Sequence, residues 1–406
     1  MRTSRQNRSI PMTINTNILG VVCLAVLAPV AFADIEPCAP DYFATIAPAS
    51  FTRDVEIAGD YLYILDDTVL EQDQTGLRIL DISNPAAPAF VGAFTTPGQA
   101  SDIAIAGERA YIADGGMGGL LVLDISDPAT PVMLGSLDTP GACLAVDVVG
   151  TTAVVADGHL GVQFIDAASP GSMSIASTLD TDGLATDVLI DGDTLYVADR
   201  HNGLLAVDIT DPLNPAITGQ VGTQGAAFGL ARSPVDDFLY VAEAEGGVML
   251  ADVSIPGSPA LISEYDTPGT ARAVAAFGTD VYVADMYGGL HVLDASDPMF
   301  LGITDTFATD GAAASVALIE GTAGEIAFVA DNQAGVQILN LQHCDDCPAD
   351  FAFPFGILDL FDVDAFIQSF YHINNDDRAA MLAEPTDVAD LADIVVFLTS
   401  FNAGCP

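Results

Sequence analysis

Five basic side chains occupy special positions relative to an acidic residue that recurs at the end of strand-like segments. Arg53 and Arg272 each lie 13 residues before such an acid, His159 and His201 each lie two residues after one, and Arg200 precedes His201. Guanidinium groups bind carboxylates and phosphates, and imidazoles exchange protons near neutral pH. We therefore expect a ligand-binding site on one face of the molecule. The alternative is that the arginines pair with neighbouring aspartates, and two histidines alone do not complete a zinc site.

Four carboxylates lie in one long hairpin-like segment, at Asp66, Asp67, Glu71 and Asp73. Calcium binds clusters of carboxylate and carbonyl oxygens. This segment therefore predicts a metal site for calcium, with a solvated loop as the alternative.

The acids that organise these positions recur through the chain. The first set ends one strand-like run per unit: Asp66, Asp114, Asp157, Asp199, Glu243, Asp285 and Asp331. The second set ends the next run: Asp81, Asp124, Asp166, Asp208, Asp252, Asp294 and Asn340. The first set recurs every 42 to 48 residues, the length of one four-stranded propeller blade. Because the units are short β-rich runs broken by Gly, Pro and Asp, we predict an all-β, seven-bladed β-propeller rather than a helical solenoid.

Residues that recur at one register in every unit are expected to do the same structural work each time. The repeated aspartates should accept N–H groups in turns, so function should lie where the units differ. Cys143 is expected to be a buried free thiol, and His291 a packed or partly exposed strand residue.

The repeat is almost complete at 100–141 and 185–225; the latter contains Leu-Tyr-Val-Ala-Asp at 195–199 and Val-Asp-Ile-Thr-Asp-Pro at 207–212. This pattern resembles the LVIVD repeat family over about residues 51–341. The resemblance implies a secreted or surface protein of bacterial type.

The first 33 residues resemble a signal peptide. Arg2, Arg5 and Arg8 precede an apolar run at 18–28, and Ala31 and Ala33 supply small residues for cleavage after Ala33. We therefore expect a secreted, extracellular or cell-surface protein without membrane insertion. The chain holds 56 acidic residues against 10 basic ones, a net charge of −46, which excludes nucleic acid and anionic membranes as partners.

The last repeat, at 315–341, holds only three strand-like runs. Residues 39–48 resemble the outer-strand segment 87–97, so we expect the N-terminal residues to complete the last blade within a propeller domain at 34–344. Cys38 and Cys344 flank the break, and a disulfide between them would close the ring. Pairing of Cys344 with Cys347 is the alternative.

Residues 345–406 change in character. Two helix-like half-copies, at 357–370 and 388–401, lie between Cys347 and Cys405. They resemble the GC-type dockerin-like domain, which implies a small α-helical attachment module. The family's calcium ligands are missing, since Phe351, Phe353 and Phe355 occupy the first three ligand positions. A disulfide between Cys347 and Cys405 would take over the role of calcium.

No catalytic motif is present. We therefore expect a secreted, non-enzymatic binding or scaffold propeller that acts as a monomer on an extracellular protein or polysaccharide. The alternative is a carbohydrate-active or other lyase or hydrolase with its site in the propeller funnel. No cofactor is expected, with calcium at the long hairpin as the alternative.

Overall fold

The computed structural model describes residues 41–48, 51–67, 76–321 and 325–341, all within the compact unit Pro40–His343. Several predictions lie outside the described residues. These are the signal peptide at 1–33, the dockerin-like domain at 345–406, Glu71, Asp73, and the cysteines Cys38, Cys344, Cys347 and Cys405. Within the described segments, no helix combines the length and the apolar character that crossing a membrane requires.

The described chain forms 28 strands. In order they are β1 Asp41–Ile46, β2 Phe51–Ala58, β3 Tyr61–Asp67, β4 Gly76–Asp81, β5 Ala89–Thr95, β6 Asp102–Ala106, β7 Arg109–Ala113, β8 Leu120–Asp124, β9 Val132–Leu137, β10 Ala145–Val149, β11 Thr152–Ala156, β12 Val162–Asp166, β13 Ser174–Leu179, β14 Ala185–Asp191, β15 Thr194–Asp199, β16 Gly203–Asp208, β17 Ala216–Val221, β18 Gly229–Arg232, β19 Phe238–Ala242, β20 Val248–Asp252, β21 Ala260–Tyr265, β22 Ala273–Phe277, β23 Asp280–Ala284, β24 Leu290–Asp294, β25 Gly302–Phe307, β26 Ser315–Glu320, β27 Glu325–Ala330 and β28 Val336–Leu341. Two short helical turns, Gly115–Gly118 and Pro170–Ser172, interrupt them.

The strands build seven four-stranded antiparallel sheets, so the prediction of a seven-bladed propeller is confirmed. Six blades each use four consecutive strands, beginning with β2–β5. The seventh blade combines β26, β27 and β28 with β1, which pairs with β28 from Asp41 opposite Asn340 to Ile46 opposite Val336. The innermost strands, β2, β6, β10, β14, β18, β22 and β26, contact one another in a closed ring.

The blades pack through seven apolar clusters, one at each junction between neighbours. The middle strands of a blade are covered on both faces; β15 and β28 are buried at every position. Continuous Val, Leu, Ile and Tyr runs suit such strands, because both side-chain directions face apolar neighbours. Burial of these runs is the main source of stability.

The first set of repeated acids is structural, as predicted. The carboxylate of Asp114 accepts the Gly98 N–H at 2.6 Å, and Asp157 accepts the Gly141 N–H at 2.9 Å. These bonds hold the turns that enter the second and third blades against the strands that end at these acids. Gly98 itself lies so close to the Asp114 carbonyl oxygen that a Cβ would come within 2.1 Å of it, which requires glycine there.

In two blades a residue of the third strand forms a hydrogen bond with the repeated acid. His291 is buried, with Nε2 3.0 Å from Asp285 Oδ2 and Nδ1 2.9 Å from Thr306 Oγ1. Gln337 donates to Asp331 at 2.7 Å from the equivalent position. His291 is therefore a packed strand residue, as its sequence position predicted.

Candidate functional site

The seven inner strands enclose a central channel with a volume of about 730 Å³. Its wall presents polar side chains because the inner strands face water on one side and apolar neighbours on the other. Asp54, Asp102 and Asp187 line the channel at equivalent positions of β2, β6 and β14. Asp147 of β10 and Glu56 of β2 add two further carboxylates.

Each of the four channel aspartates accepts a backbone N–H from the next blade. The N···O distances are 3.3 Å from Ile103 to Asp54, 2.7 Å from Val146 to Asp102, 2.7 Å from Ile190 to Asp147, and 2.8 Å from Leu230 to Asp187. The carboxylates thus link the first five blades around the channel.

Burial of these carboxylates favours their protonated forms. They retain some contact with solvent in the channel, but surrounding protein displaces most of their hydration. Burial raises the pKa of Asp187 to about 7 and that of Glu56 to about 8, and the charges of nearby aspartates act in the same direction. Burial also raises the pKa of Asp102 well above its ordinary value, and Asp54 and Asp187 reinforce this. This wall of the channel is therefore less anionic than its composition suggests.

A stack of two guanidinium groups on one aromatic ring lies at the same channel. The guanidinium carbons of Arg200 and Arg272 lie 4.1 Å and 4.2 Å from the ring centroid of Phe228. Both distances are within the range of favourable cation–π contact. Phe228 directly precedes β18, and Arg272 directly precedes β22.

Backbone hydrogen bonds fix the chain at all three residues. The Phe228, Arg272 and Arg200 N–H groups donate to Ala242, Ala284 and Leu184 carbonyl oxygens at 2.8, 2.8 and 3.0 Å. The stack therefore rests on strand ends rather than on long loops.

The third predicted arginine belongs to the same group. Arg53 lines the channel together with Arg272 and Phe228. Burial, together with the charges of Arg200 and Arg53, lowers the pKa of Arg272 to about 10. Arg272 remains accessible within the channel mouth even so. We call Arg53, Arg200, Arg272 and Phe228 the arginine cluster.

The two predicted histidines are placed differently. His159 is exposed, with Nδ1 3.3 Å from the Gly183 carbonyl oxygen. His201 is also exposed, and its backbone N–H donates to Asp199 Oδ1 at 3.0 Å. Neither histidine is among the residues that line the channel.

Of the four predicted calcium ligands, Asp66 is the one whose side chain is described. The carboxylate of Asp66 is buried, accepts the Thr52 hydroxyl at 2.8 Å and forms an ion pair with the Arg78 guanidinium. Its oxygens are therefore already engaged by protein donors. The strand β3 ends at Asp67, whose side chain lies outside the described atoms, as do Glu71 and Asp73. Across the described residues, no three His, Cys, Asp or Glu side chains are arranged to hold a metal ion.

A second concavity opens beside the channel and shares Arg53 and Asn332 with it. It has a volume of about 430 Å³, and we call it the aromatic groove. Its lining is Phe51, Arg53, Tyr287, Gly311, Ala312, Asn332 and Gln333.

Sequence reasoning missed Phe228 and Tyr287. A signal for Phe228 existed, since it holds the register of Arg53 and Arg272 but lies 15 residues before its acid, Glu243, instead of 13. That two-residue difference hid the correspondence. Tyr287 occupies the register of His159 and His201, where an aromatic residue is a departure from the other blades.

A sequence model of the LVIVD repeat matches five segments that together cover half of the chain: residues 51–96, 97–139, 182–223, 235–267 and 268–309. No match among curated proteins was found for the sequence.

Three solved structures with similar folds are distant in sequence. The β-propeller domain of Myceliophteria thermophila Cps50 (Swd1) superposes with a TM-score of 0.61 at 11% identity, covering 75% of this chain and 100% of that one. A protein from Lactobacillus plantarum gives a TM-score of 0.57 at 16% identity, with coverages of 70% and 94%. The computationally designed Ika8 protein gives 0.55 at 10% identity, with coverages of 74% and 99%. At these identities the likeness concerns the fold alone.

Proposed function

Because the chain belongs to the LVIVD repeat family and closes as a seven-bladed β-propeller, we propose that it is a secreted, non-enzymatic binding protein whose arginine cluster takes an anionic group of an extracellular partner. The observation that carries this proposal is the gathering of three guanidinium groups in a chain with a net charge of −46. Burial and, after it, the charges of Arg200 and Arg53 lower the pKa of Arg272, so the three guanidinium groups repel one another. An incoming carboxylate, sulfate or phosphate would relieve that repulsion.

The channel carboxylates support a binding role over a catalytic one. Asp54, Asp102, Asp147 and Asp187 each accept an N–H from a neighbouring blade, so they serve the frame of the ring. The exposed histidines do not line the channel with them. General acid–base catalysis requires an acid and a base that face a shared substrate position.

A carbohydrate-active lyase or hydrolase is the second candidate. Its support is the raised pKa of Glu56, about 8, and of Asp187, about 7, because a general acid works best with a pKa near the working pH.

The ends of the chain supply the remaining parts of the proposal. The signal-like residues 1–33 support export, and the dockerin-like pattern at 345–406 supports attachment to another extracellular component. We expect a monomer that binds an extracellular protein or polysaccharide, without a cofactor.

Retention on carboxylate-bearing agarose, compared with unmodified agarose, tests the binding site. Salt at about 0.15 M limits electrostatic range to about 8 Å, so the overall negative field should not mask a local site. We expect the wild type to be retained on the carboxylate resin and the double variant Arg200→Gln/Arg272→Gln to lose at least tenfold in retention.

The matched control is Arg232→Gln, which removes an arginine that pairs with Asp191 and Asp237 away from the channel lining. Equal loss in this control, or no retention of the wild type, would refute the arginine cluster as the site. Cleavage of a carboxylated polysaccharide by the wild type, abolished in Glu56→Gln, would instead favour the enzyme.

A further inference from the structure

The aromatic groove combines three kinds of side chain from three blades. Phe51 and Arg53 come from β2 of the first blade, Tyr287 from the hairpin between β23 and β24, and Asn332 with Gln333 from the hairpin between β27 and β28. Aromatic faces pack on apolar ring faces, amides exchange hydrogen bonds with hydroxyl groups, and guanidinium groups bind carboxylates. A saccharide ring that carries a carboxylate presents all three complementary surfaces.

Tyr287 is held in solvent by a fixed backbone. Its side chain is 88% exposed, which for a large aromatic residue calls for an explanation. The preceding residue, Met286, has a φ of 49° and exchanges two backbone hydrogen bonds with Ala313 of the next blade, both 3.0 Å long. A non-glycine residue at positive φ carries local strain, so the surrounding structure must enforce this shape.

The facing hairpin is equally fixed. Asn332 has a φ of 45°, its side-chain amide donates to the Ala312 carbonyl oxygen at 2.8 Å, and its own carbonyl oxygen accepts the Thr52 N–H at 3.0 Å. Gln333 next to it is exposed and available to a ligand. The groove is therefore preorganised, which reduces the entropic cost of binding.

From these observations we infer that the aromatic groove binds an acidic saccharide, with a sugar ring against Tyr287, hydroxyl groups at Gln333 and a carboxylate at Arg53. The groove volume of about 430 Å³ lies within the range of small-ligand sites. Because Arg53 belongs to both the groove and the arginine cluster, a chain of acidic sugars would extend from one to the other. This inference rests on the proposed anion-binding function and adds the class of ligand.

Calorimetry with trigalacturonate as the probe tests the inference. The wild type should bind trigalacturonate at least tenfold more tightly than its fully methyl-esterified form and than triglutamate. Tyr287→Ala should weaken trigalacturonate binding at least tenfold, whereas Tyr287→Phe should retain it. Phe300→Ala is the matched control, since Phe300 is 78% exposed but does not line the groove.

The outcomes separate this inference from the proposed function. If triglutamate binds as well as trigalacturonate, or if Tyr287→Ala changes nothing while the carboxylate resin still retains the protein, the ligand is an anion without a sugar ring and the inference fails alone. If trigalacturonate and the resin both fail to bind, the anion-binding function fails with it. A thermal melt of Tyr287→Ala that matches the wild type shows that the variant is folded.

Discussion

Ser315 and Asp54 join the last repeat to the first across the seam of the ring. The Ser315 hydroxyl donates to Asp54 Oδ1 at 2.6 Å, although the two residues are 261 positions apart in sequence. Asp54 also accepts the Ile103 N–H through its other oxygen, so one carboxylate ties together blades seven, one and two. The inner edge of the seam thus has a hydrogen-bonded lock in addition to the β1–β28 pairing at the outer edge.

Ser315→Ala should therefore destabilise the propeller. The bond contributes on the order of 1 kcal/mol, since burial raises the pKa of Asp54 and so reduces its charge. That pKa should rise further because the variant loses a donor that favours the ionised form. Chemical denaturation should show a lower midpoint with an unchanged slope. Ser174→Ala, at an exposed position of β13, should change the midpoint little; equal effects of the two substitutions would contradict the lock.

The propeller should be most stable in mildly acidic solution. The pKa values of Glu56, Asp187 and Glu243 are raised in the fold, to about 8, 7 and 7. Their contribution to stability is fully present below the unfolded pKa near 4. It is lost as the pH rises from about 4 through the folded pKa values of 7 to 8, since the folded state binds more protons than the unfolded state over this whole interval. Asp81 and Asp124 have lowered pKa values through hydrogen bonds from Ser83 and Ser126, so their contribution to stability is lost below about pH 4.

We therefore expect the melting temperature to fall by on the order of 5 °C between pH 5.5 and pH 8.5. Thermal unfolding followed by circular dichroism measures this. Asp187→Asn should flatten the decline, because asparagine does not ionise. The variant should also be less stable at every pH, since the Val188 and Leu230 N–H groups bind different oxygens of Asp187 and asparagine has only one acceptor oxygen. Repulsion among surface carboxylates also lowers the melting temperature as the pH rises. Added salt should screen this repulsion but should leave the contribution of the channel carboxylates. A decline that salt abolishes entirely would contradict the role of the channel carboxylates.

Phe228→Ala should loosen the arginine cluster. The substitution removes the ring on which Arg200 and Arg272 stack, with an expected cost of about 1–3 kcal/mol from lost cation–π contact and packing. Retention on carboxylate agarose should fall severalfold, because the guanidinium groups lose their fixed orientation. Phe228→Tyr should preserve both properties, and Phe90→Ala, at a ring that is 67% exposed on β5, should affect neither.

Cys143 should be chemically inert in the folded protein. Its thiol is buried and free, and burial together with the nearby Asp157 carboxylate raises its pKa, so little thiolate forms. An alkylating reagent should modify it only after denaturation, which peptide mapping by mass spectrometry can assign to this cysteine. Rapid labelling of Cys143 in the native state would show that the second and third blades separate.

The fold was largely readable from the sequence because a propeller repeats its signals. The recurrence of Asp114, Asp157 and Asp285 at one register indicated both the blade count and their structural role, and the likeness of 39–48 to 87–97 pointed to the N-terminal strand as the outer strand of the last blade.

The site was readable only in part. Arg53 and Arg272 share a register, so their meeting at the channel followed from the repeat. The aromatic groove did not follow from the repeat. It depends on how Tyr287 and Gln333 project from neighbouring hairpins toward β2, and spacing along the chain does not encode that projection. His159 and His201 share the hairpin register of Tyr287. Side chains at this register lie on the rim, and neither histidine lines the channel.

The pairing of β1 with β28 has a consequence for biogenesis. β1 precedes the first repeat, but its partner strand ends at Leu341, so the circle is closed only after the whole propeller has emerged from the ribosome. Until then the partly built array has two open edges, at β1 and at the newest strand, and open edges invite pairing with other chains. Closure is therefore the step at which a growing row of blades becomes a protected ring, and we expect slow closure to favour aggregation.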